Sequence, residues 1–285
     1  MRAWDAGRWL LLATLWSLQY IFMRLSVPTF GSAIVADGRA IFSALFLVPW
    51  MLFVLRQDIG LRLHWRDYLW VALVNNVFPF LCFAYAAGGL PASYLAVVNG
   101  MVPLWSAVVA APVLKERLGP HRIIGFVIGI AGVALIVNLG PVELNTHTVL
   151  AAIAAMAGAF FWGWAGVVIR QRTGRVPAMG LATGSILFCM VILSPAWAQV
   201  PPPSTWTPAA VGGVIAVGLL CSGLAYLPFF TLVRDIGPTR TLTVGLAVPV
   251  LGIFWGWLLL GETVTLPMLL GAGLVLLALG LVMRH

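Results

Sequence analysis

The chain has 285 residues, of which 62% are hydrophobic and 8% are charged, and its formal net charge is +8. A water-soluble domain needs about a quarter of its residues charged to cover its surface, so this composition excludes a soluble globule and predicts a polytopic membrane protein. The three cysteines, Cys82, Cys189 and Cys221, all lie in apolar runs. They indicate neither a disulfide framework nor a metal site, and we expect no cofactor.

Ten apolar segments follow one another along the chain, each near the length of about 20 residues that crosses about 30 Å of hydrocarbon. They fall at 9–27, 32–55, 68–88, 91–114, 120–138, 148–171, 178–198, 208–231, 238–260 and 266–283. Helices are expected, because lipid offers an open sheet no hydrogen-bond partners and the runs are too continuous for barrel strands. The first segment lacks a convincing signal-peptide cleavage site, so we expect it to be retained as a helix.

The basic residues are distributed unevenly between the two sides of this ten-span arrangement. One side collects 14 of the 16: Arg2, Arg8, Arg56, Arg62, Arg66, Lys115, Arg117, Arg122, Arg170, Arg172, Arg175, Arg234, Arg240 and Arg284. Arg24 and Arg39 fall on the other side. The positive-inside rule therefore predicts that both termini are cytoplasmic. A basic rim beside anionic lipid headgroups accounts for the net charge, so no nucleic-acid partner is expected.

The second half of the chain repeats features of the first half. A proline, a glutamate thirteen residues later and a glycine nine residues after that occur as Pro103, Glu116 and Gly125, and again, each offset by 146, as Pro249, Glu262 and Gly271. This duplication predicts two repeats, residues 1–140 and 141–285. Five spans per repeat is an odd number, so the second repeat enters the membrane from the opposite face, an arrangement that recurs in secondary transporters.

Aromatic and amide side chains occupy the middles of the predicted spans. No ionisable residue is expected there, because Asp37 and Arg39 fall a few residues into the second span, near the outer face, and Glu116 and Glu262 fall at helix ends as structural groups. The site is therefore predicted to be neutral. The candidate substrate-binding residues are Trp16, Gln19, Tyr20, Asn76, Phe80, Asn99, Trp162, Trp164 and Tyr226. Aromatic faces accept apolar or ammonium groups, and amides pair with a carboxylate or an amine.

Prolines and glycines inside the spans suggest bends and close helix contacts. Four prolines lie within predicted helices and bend them, either as hinges or as static kinks: Pro79, Pro103, Pro228 and Pro249. Six glycines in the fifth and tenth spans are predicted to let helices approach closely: Gly125, Gly129, Gly132, Gly271, Gly273 and Gly280.

The ten spans, the inverted duplication and the two Pro–Glu–Gly signatures resemble the drug/metabolite transporter superfamily and, within it, the EamA-type exporters, including YddG-like amino-acid exporters. The resemblance covers essentially the whole chain. It implies a basket-like bundle of ten helices with a central cavity lined by helices 1, 3, 4, 6, 8 and 9, and with helices 5 and 10 at the periphery. The best-known members export small metabolites or amino acids.

The functional prediction is a secondary transporter of the bacterial inner membrane that exports aromatic and other neutral amino acids. Transport would proceed by alternating access through an uncharged, aromatic-lined cavity. Its expected partners are a small-molecule substrate and the lipid bilayer, with no obligate protein partner. Two alternatives stay open: efflux of amphipathic or quaternary-ammonium drugs, and a structural or partner-binding subunit without transport. An enzyme is not expected, because the four histidines lie in predicted loops or at the terminus.

Overall fold

The computed structural model describes residues 3–115, 119–139, 145–172, 174–237, 240–241 and 243–283. Within these ranges the chain forms α-helices, short 3₁₀ turns and three π-helical segments, and no strand. The α-helices are α1 Ala3–Pro49, α2 Leu61–Val71, α3 Phe78–Gly89, α4 Ala92–Asn99, α5 Val102–Leu114, α6 Pro120–Leu139, α7 Thr146–Arg172, α8 Ala178–Leu193, α9 Pro208–Gly218, α10 Tyr226–Ile236, α11 Val244–Leu260 and α12 Leu266–Met283. The π-helical segments are Trp50–Val54, Ala72–Val77 and Leu219–Leu224.

Seven helical stretches of the described chain are long and apolar enough to cross a membrane. They are Trp4–Val54, Leu61–Gly89, Ala92–Leu114, Pro120–Val137, Thr146–Arg172, Ala178–Gln199 and Pro208–Ile236. Two shorter apolar helices follow, Val244–Leu260 and Leu266–Val282. The chain is therefore an all-α, multi-pass membrane protein.

The first stretch is too long for a single crossing. Its 51 residues correspond to about 77 Å of helix, more than twice the thickness of the hydrocarbon core. Gly31 interrupts it with φ 75° and ψ 165°, a backbone conformation that glycine adopts without steric cost. This break divides α1 into a first limb, residues 3–30, and a second limb, residues 32–49.

The two limbs of α1 run in opposite directions along the continuous stretch Pro208–Ile236. The first limb approaches it through Ser26 with Ala210 and Arg8 with Asp235, and the second limb through Gly38 with Val214 and Phe46 with Gly223. Along the first limb the contacted position on the partner stretch moves back, from Asp235 to Ala210. Along the second limb it moves forward, from Val214 to Gly223. The chain therefore reverses direction at Gly31.

α6 and α12 form a closely packed pair whose outward residues are exposed. A Cβ atom built on Gly125 would lie 2.9 Å from the carbonyl oxygen of Ala278, and one built on Gly271 would lie 2.6 Å from that of Gly132. Only the absence of side chains allows these two helices to approach so closely. The prediction for the glycines is wrong at Gly273 and Gly280, where no atom lies within 4 Å of the added Cβ.

Contacts between the two halves of the chain occur in pairs that are related by an offset of 146 residues. The pairs are Trp16–Phe229 with Trp162–Phe83, Gly38–Val214 with Gly184–Tyr68, and Gly125–Ala278 with Gly271–Gly132. In each case a residue of one half contacts a residue of the other, and their counterparts repeat the contact with the halves exchanged. Composition alone does not produce such reciprocity.

Glu262 closes one end of the bundle by capping a neighbouring helix. Its carboxylate accepts hydrogen bonds from the backbone N–H groups of Ala92, at 2.6 Å, and Ser93, at 3.0 Å, and from the Ser93 hydroxyl. These N–H groups belong to the first turn of α4, where a negative charge is favoured by the helix dipole. The prediction that Glu262 is a structural group at a helix end is thus confirmed, whereas Glu116 lies outside the described residues.

Candidate functional site

Three aromatic rings from three helices pack together in the interior, Phe83 stacked on Trp162 and tilted against Tyr20. Phe83 of α3 lies between Tyr20 of α1, at 5.6 Å between ring centroids, and Trp162 of α7, at 4.6 Å. The indole Nε1 of Trp162 donates a 3.0 Å hydrogen bond to the backbone carbonyl of Asn75. That carbonyl lies in the π-helical segment Ala72–Val77, where the widened turn changes the regular backbone pairing and leaves an acceptor for the indole. The rings are therefore fixed by both packing and a hydrogen bond.

Arg39 lies beside these rings and is only 5% exposed. Its guanidinium carbon is 3.9 Å from the ring centroid of Phe80 and 5.9 Å from that of Trp162. Its Nε donates a 2.7 Å hydrogen bond to the hydroxyl of Ser222. The prediction that no charged side chain lies among the candidate residues is therefore wrong, because Arg39 is buried against the rings of Phe80 and Trp162.

No carboxylate of the described chain forms an ion pair with Arg39 within 4.0 Å. Asp37, two residues earlier on the same helix, accepts a 2.6 Å hydrogen bond from the indole of Trp197 instead. The groups that contact the guanidinium are neutral: the hydroxyl of Ser222 and the rings of Phe80 and Trp162. Arg39 is thus a buried cation held by a hydroxyl and by aromatic faces.

Two π-helical segments place polar groups at corresponding points of the two halves. Asn76, in the segment Ala72–Val77, donates a 3.0 Å hydrogen bond to the hydroxyl of Ser185 on α8. Ser222, in the segment Leu219–Leu224, accepts the hydrogen bond from Arg39. Ser185 lies 146 residues after Arg39, so it is the counterpart of Arg39 in the second half. π-Helical turns occur frequently at functional sites. Here the segment Ala72–Val77 contacts α8, and the segment Leu219–Leu224 contacts the second limb of α1.

The structure groups some of the predicted substrate-binding residues and separates others. Phe80 and Trp162 face the Arg39 guanidinium, Tyr20 joins these rings through Phe83, and Tyr226 packs on the same buried cluster as Phe80. Asn76 is bound to Ser185 on α8. The remaining four candidates are Trp16, Gln19, Asn99 and Trp164.

Those four residues have other surroundings. Trp16 packs against Phe229, and Gln19 turns its amide back to the carbonyl of Trp16. Trp164 stacks on rings of its own helix, among them Phe161. Asn99 is the last residue of α4.

Three of the four predicted bend prolines begin a helix after an interruption. Pro79 and Pro228 lie in the first turns of α3 and α10, immediately after the π-helical segments, and Pro103 lies in the first turn of α5, after the break between α4 and α5. A proline fits in a first turn because the N–H that it lacks has no helical partner there. Pro249 lies inside α11.

Two cavities lie at the ends of the bundle and not at Arg39. One, of about 460 Å³, is lined by Trp4, Asp5, Arg8 and Asp235. The other, of about 510 Å³, surrounds the Gly31 break and the end of α8. None of the predicted substrate-binding residues lines either cavity, and the residues around Arg39 are packed together. Arg39 and its surrounding rings are thus shielded from both cavities in this conformation.

Comparison with known proteins identifies the fold and the class of function. The model of the EamA-like transporter family matches residues 8–138 and again residues 149–284. The chain belongs to the EamA-like transporter family. Its members are transporters and not enzymes, so this EamA-like protein is a membrane transporter.

Individual relatives of this EamA-like transporter are distant but match over most of their length. The uncharacterized transporter YoaV of Bacillus subtilis is 21% identical and aligns over 92% of this chain and 90% of its own. A probable amino-acid metabolite efflux pump of Salmonella typhimurium is 24% identical, over 95% of this chain and 91% of its own. A protein crystal structure with 20% identity superposes with a TM-score of 0.66, covering 99% of this chain and 96% of that one.

The sequence contained a signal for the most important residue that the prediction missed in this EamA-like transporter. In the predicted ten-span arrangement, Arg39 is one of two basic residues that do not fall on the basic-rich side. The other, Arg24, donates hydrogen bonds to the carbonyls of Ala87 and Gly88 at the end of α3. Of these two exceptions to the charge pattern, Arg39 alone lies among the candidate binding residues.

Proposed function

We propose that this transporter exports small metabolites, most specifically aromatic and other neutral amino acids, by alternating access between two inverted repeats of five crossings each. The two limbs of α1, the six further long stretches and the helices α11 and α12 supply the ten crossings. The repeats are residues 1–140 and 141–285, and both termini are cytoplasmic in a bacterial inner membrane. The transported solute binds among the rings around Arg39.

The reciprocal contacts are the observation that carries the mechanism. A two-fold axis makes residue i of one unit contact residue j of the other, and makes j contact i in return. The pairs Trp16–Phe229 with Trp162–Phe83 and Gly38–Val214 with Gly184–Tyr68 follow this rule at a constant offset. Halves related in this way can exchange conformations and thereby open a shared site to each side in turn.

The substrate class is supported by the chemistry of the interior. Tyr20, Phe80, Phe83 and Trp162 offer ring faces to an apolar side chain. The hydroxyl of Tyr20, which has no hydrogen-bond partner within 3.5 Å among the described residues, is available for a polar head. The relative from Salmonella typhimurium bears the name of an amino-acid metabolite efflux pump, which agrees with this class of solute.

Counterflow in proteoliposomes tests the proposed function. Vesicles containing the purified protein are loaded with an unlabelled amino acid, and entry of the labelled form of leucine, phenylalanine or tryptophan is measured. We expect labelled solute to accumulate transiently, faster than in protein-free vesicles. If no aromatic or aliphatic amino acid moves, the amino-acid assignment is wrong, and movement of a quaternary-ammonium compound in the same vesicles identifies drug efflux in its place.

The inverted topology has a separate test. In a cysteine-free variant, a single cysteine at Asp58, in the loop before α2, is expected to react with an impermeant maleimide added from the cytoplasmic side. A single cysteine at Thr205, between α8 and α9, is expected to react from the opposite side. Both positions are exposed. Reaction of both from the same side contradicts the proposed arrangement of crossings.

A further inference from the structure

The guanidinium of Arg39 has hydrogen-bonding capacity that the protein does not use. Its Nε is bound to Ser222, but Nη1 is buried and has no hydrogen-bond partner among the described residues. The hydroxyl of Tyr20 is likewise buried with no hydrogen-bond partner within 3.5 Å among the described residues. The Tyr20 ring contacts Phe83, which stacks on Trp162, the ring that faces the Arg39 guanidinium. Buried polar groups are normally paired, so two unpaired groups on one cluster of rings indicate a ligand.

A charged residue in the interior of a membrane protein is costly and is usually functional. The ring of Phe80 stabilises the guanidinium through its face, and Ser222 supplies one neutral acceptor. Neither of them neutralises the charge. A solute with a negative group supplies the missing counter-charge and removes the energetic penalty at the moment when it binds.

The two free groups select the sign and the number of charges on the ligand. The guanidinium Nη1 is a donor only, and the phenolic O–H of Tyr20 can donate to the same acceptor. A carboxylate oxygen accepts both hydrogen bonds in a charge-assisted arrangement. A phosphate dianion calls for a second cation, and the other basic residue away from the basic-rich side, Arg24, is bound to the carbonyls of Ala87 and Gly88. One cation therefore matches one carboxylate.

The rings define the remainder of the ligand. Phe80 lies against the guanidinium, and Trp162 and Phe83 continue the aromatic surface away from it. A group that extends from a carboxylate bound at Arg39 meets ring faces, which favour an apolar or aromatic side chain. This places a carboxylate-binding group and an apolar surface next to each other.

We propose that Arg39 and Tyr20 form the carboxylate-binding subsite of the transport pathway, so that the solute is a small monocarboxylate with an apolar side group. The proposal rests on the proposed function, because it assigns the groups that recognise the transported solute. It adds one requirement to the transport assignment: the acid group of the solute, and not its amine, is required for binding.

Equilibrium binding to the purified wild-type protein in detergent tests this requirement. Isothermal titration calorimetry compares L-phenylalanine with L-phenylalaninamide and L-leucine with L-leucinamide, pairs in which only the carboxylate is changed. Phenylacetate and phenethylamine complete the series. We expect the acids, including phenylacetate, to bind at least about tenfold more tightly than the amides and the amine, because a charge-assisted hydrogen bond is lost. Equal affinity for an acid and its amide, or no binding of any acid, overturns the proposal.

Variants separate recognition from a structural role. Arg39→Gln is expected to lower affinity for the acids by about tenfold or more while leaving the weak binding of the amides unchanged, and Arg39→Lys is expected to restore part of the difference. Tyr20→Phe, which removes a single oxygen atom, is expected to weaken the acids alone. Arg24→Gln is the matched control and should keep the wild-type preference. Equal loss for acids and amides in the Arg39 variants indicates a structural role and contradicts the proposal.

If the Arg39 variants do not fold, the wild-type comparison of acids with amides and the Tyr20→Phe variant still decide the outcome.

Two results keep this inference distinct from the proposed function. If phenylacetate binds and depends on Arg39 while no amino acid is transported, the amino-acid function is wrong but the carboxylate subsite stands. If amino acids are transported and their amides bind equally well, the subsite is wrong but the transport function stands.

Discussion

Two glycines of α12 that are two residues apart should respond in opposite ways to the same substitution. A Cβ atom at Gly271 would lie 2.6 Å from the carbonyl oxygen of Gly132 and would also overlap Ile136, whereas nothing lies within 4 Å of a Cβ atom at Gly273. The carbonyl belongs to the backbone of α6, so relief of the overlap at Gly271 requires the two helices to separate. At Gly273 the added methyl group meets open space.

The magnitude follows from the difference between the two variants. Gly→Ala inside a helix contributes about 0.5–1 kcal/mol of stability through the backbone, and this gain is common to both sites. Overpacking costs about 1–3 kcal/mol and applies to Gly271→Ala alone. The melting temperature of Gly271→Ala should therefore be about 2–12 °C below that of Gly273→Ala, at about 2–4 °C per kcal/mol.

Differential scanning fluorimetry of the purified variants in one detergent provides the measurement, since the 13 tryptophans give an intrinsic signal. Folding yield should fall in parallel for Gly271→Ala, while substrate preference should not change, because the α6–α12 contact contributes no residue to the interior around Arg39. Equal melting temperatures for the two variants, or altered selectivity at normal yield for Gly271→Ala, would refute the reasoning.

Three further outcomes are expected. Glu262→Gln weakens the cap of α4 and should lower stability by about 1–3 kcal/mol, the contribution of hydrogen bonds to a charged group; Asp235→Asn, which removes ion pairs with Arg8 and Arg234 at the surface, should cost less than Glu262→Gln, and equal melting temperatures for the two would argue against the cap. Trp162→Ala should reduce counterflow severalfold, because it removes both the stacking with Phe83 and the bond to Asn75; Trp164→Ala should affect stability alone, and the reverse ranking would contradict the placement of the site. Gly184→Ala should reduce folding yield, because its Cβ atom would overlap the Tyr68 ring, and a wild-type yield would argue against this contact.

The apolar runs of the sequence predict which residues lie in the hydrocarbon better than they predict where each helix begins and ends. The third segment was predicted over 68–88, but the helical stretch begins at Leu61. Residues 61–67 include Arg62, His64, Arg66 and Asp67, which are too polar to be counted as part of an apolar segment. The helix nevertheless includes them, because a helix can continue beyond the hydrocarbon. The sequence does not distinguish the π-helical segments from α-helix, because their residues, Asn75 and Ser222 among them, are also compatible with a regular α-helix.

The position of Arg39 shows why the site was predicted less well than the fold. Counting from the start of an apolar segment places a residue along the helix but says nothing of what covers it. Here the turn Ser194–Gln199 extends α8 and brings Trp197 over Asp37, so the beginning of the second limb is buried. Besides the charge pattern, the duplication draws attention to position 39, since its counterpart, Ser185, is a small neutral residue.

The ring pairs at the corresponding positions of the two halves do not have the same geometry. Trp162 stacks on Phe83 with 4.6 Å between centroids and an angle of 24°, whereas Trp16 tilts by 41° against Phe229 at 5.6 Å. In the proposed alternating access, the outward- and inward-open forms exchange these two arrangements of the ring pairs. Most corresponding positions of the two halves carry unlike residues, as Arg39 and Ser185 do, so the two forms differ in energy, and an anion bound at Arg39 shifts the equilibrium between them.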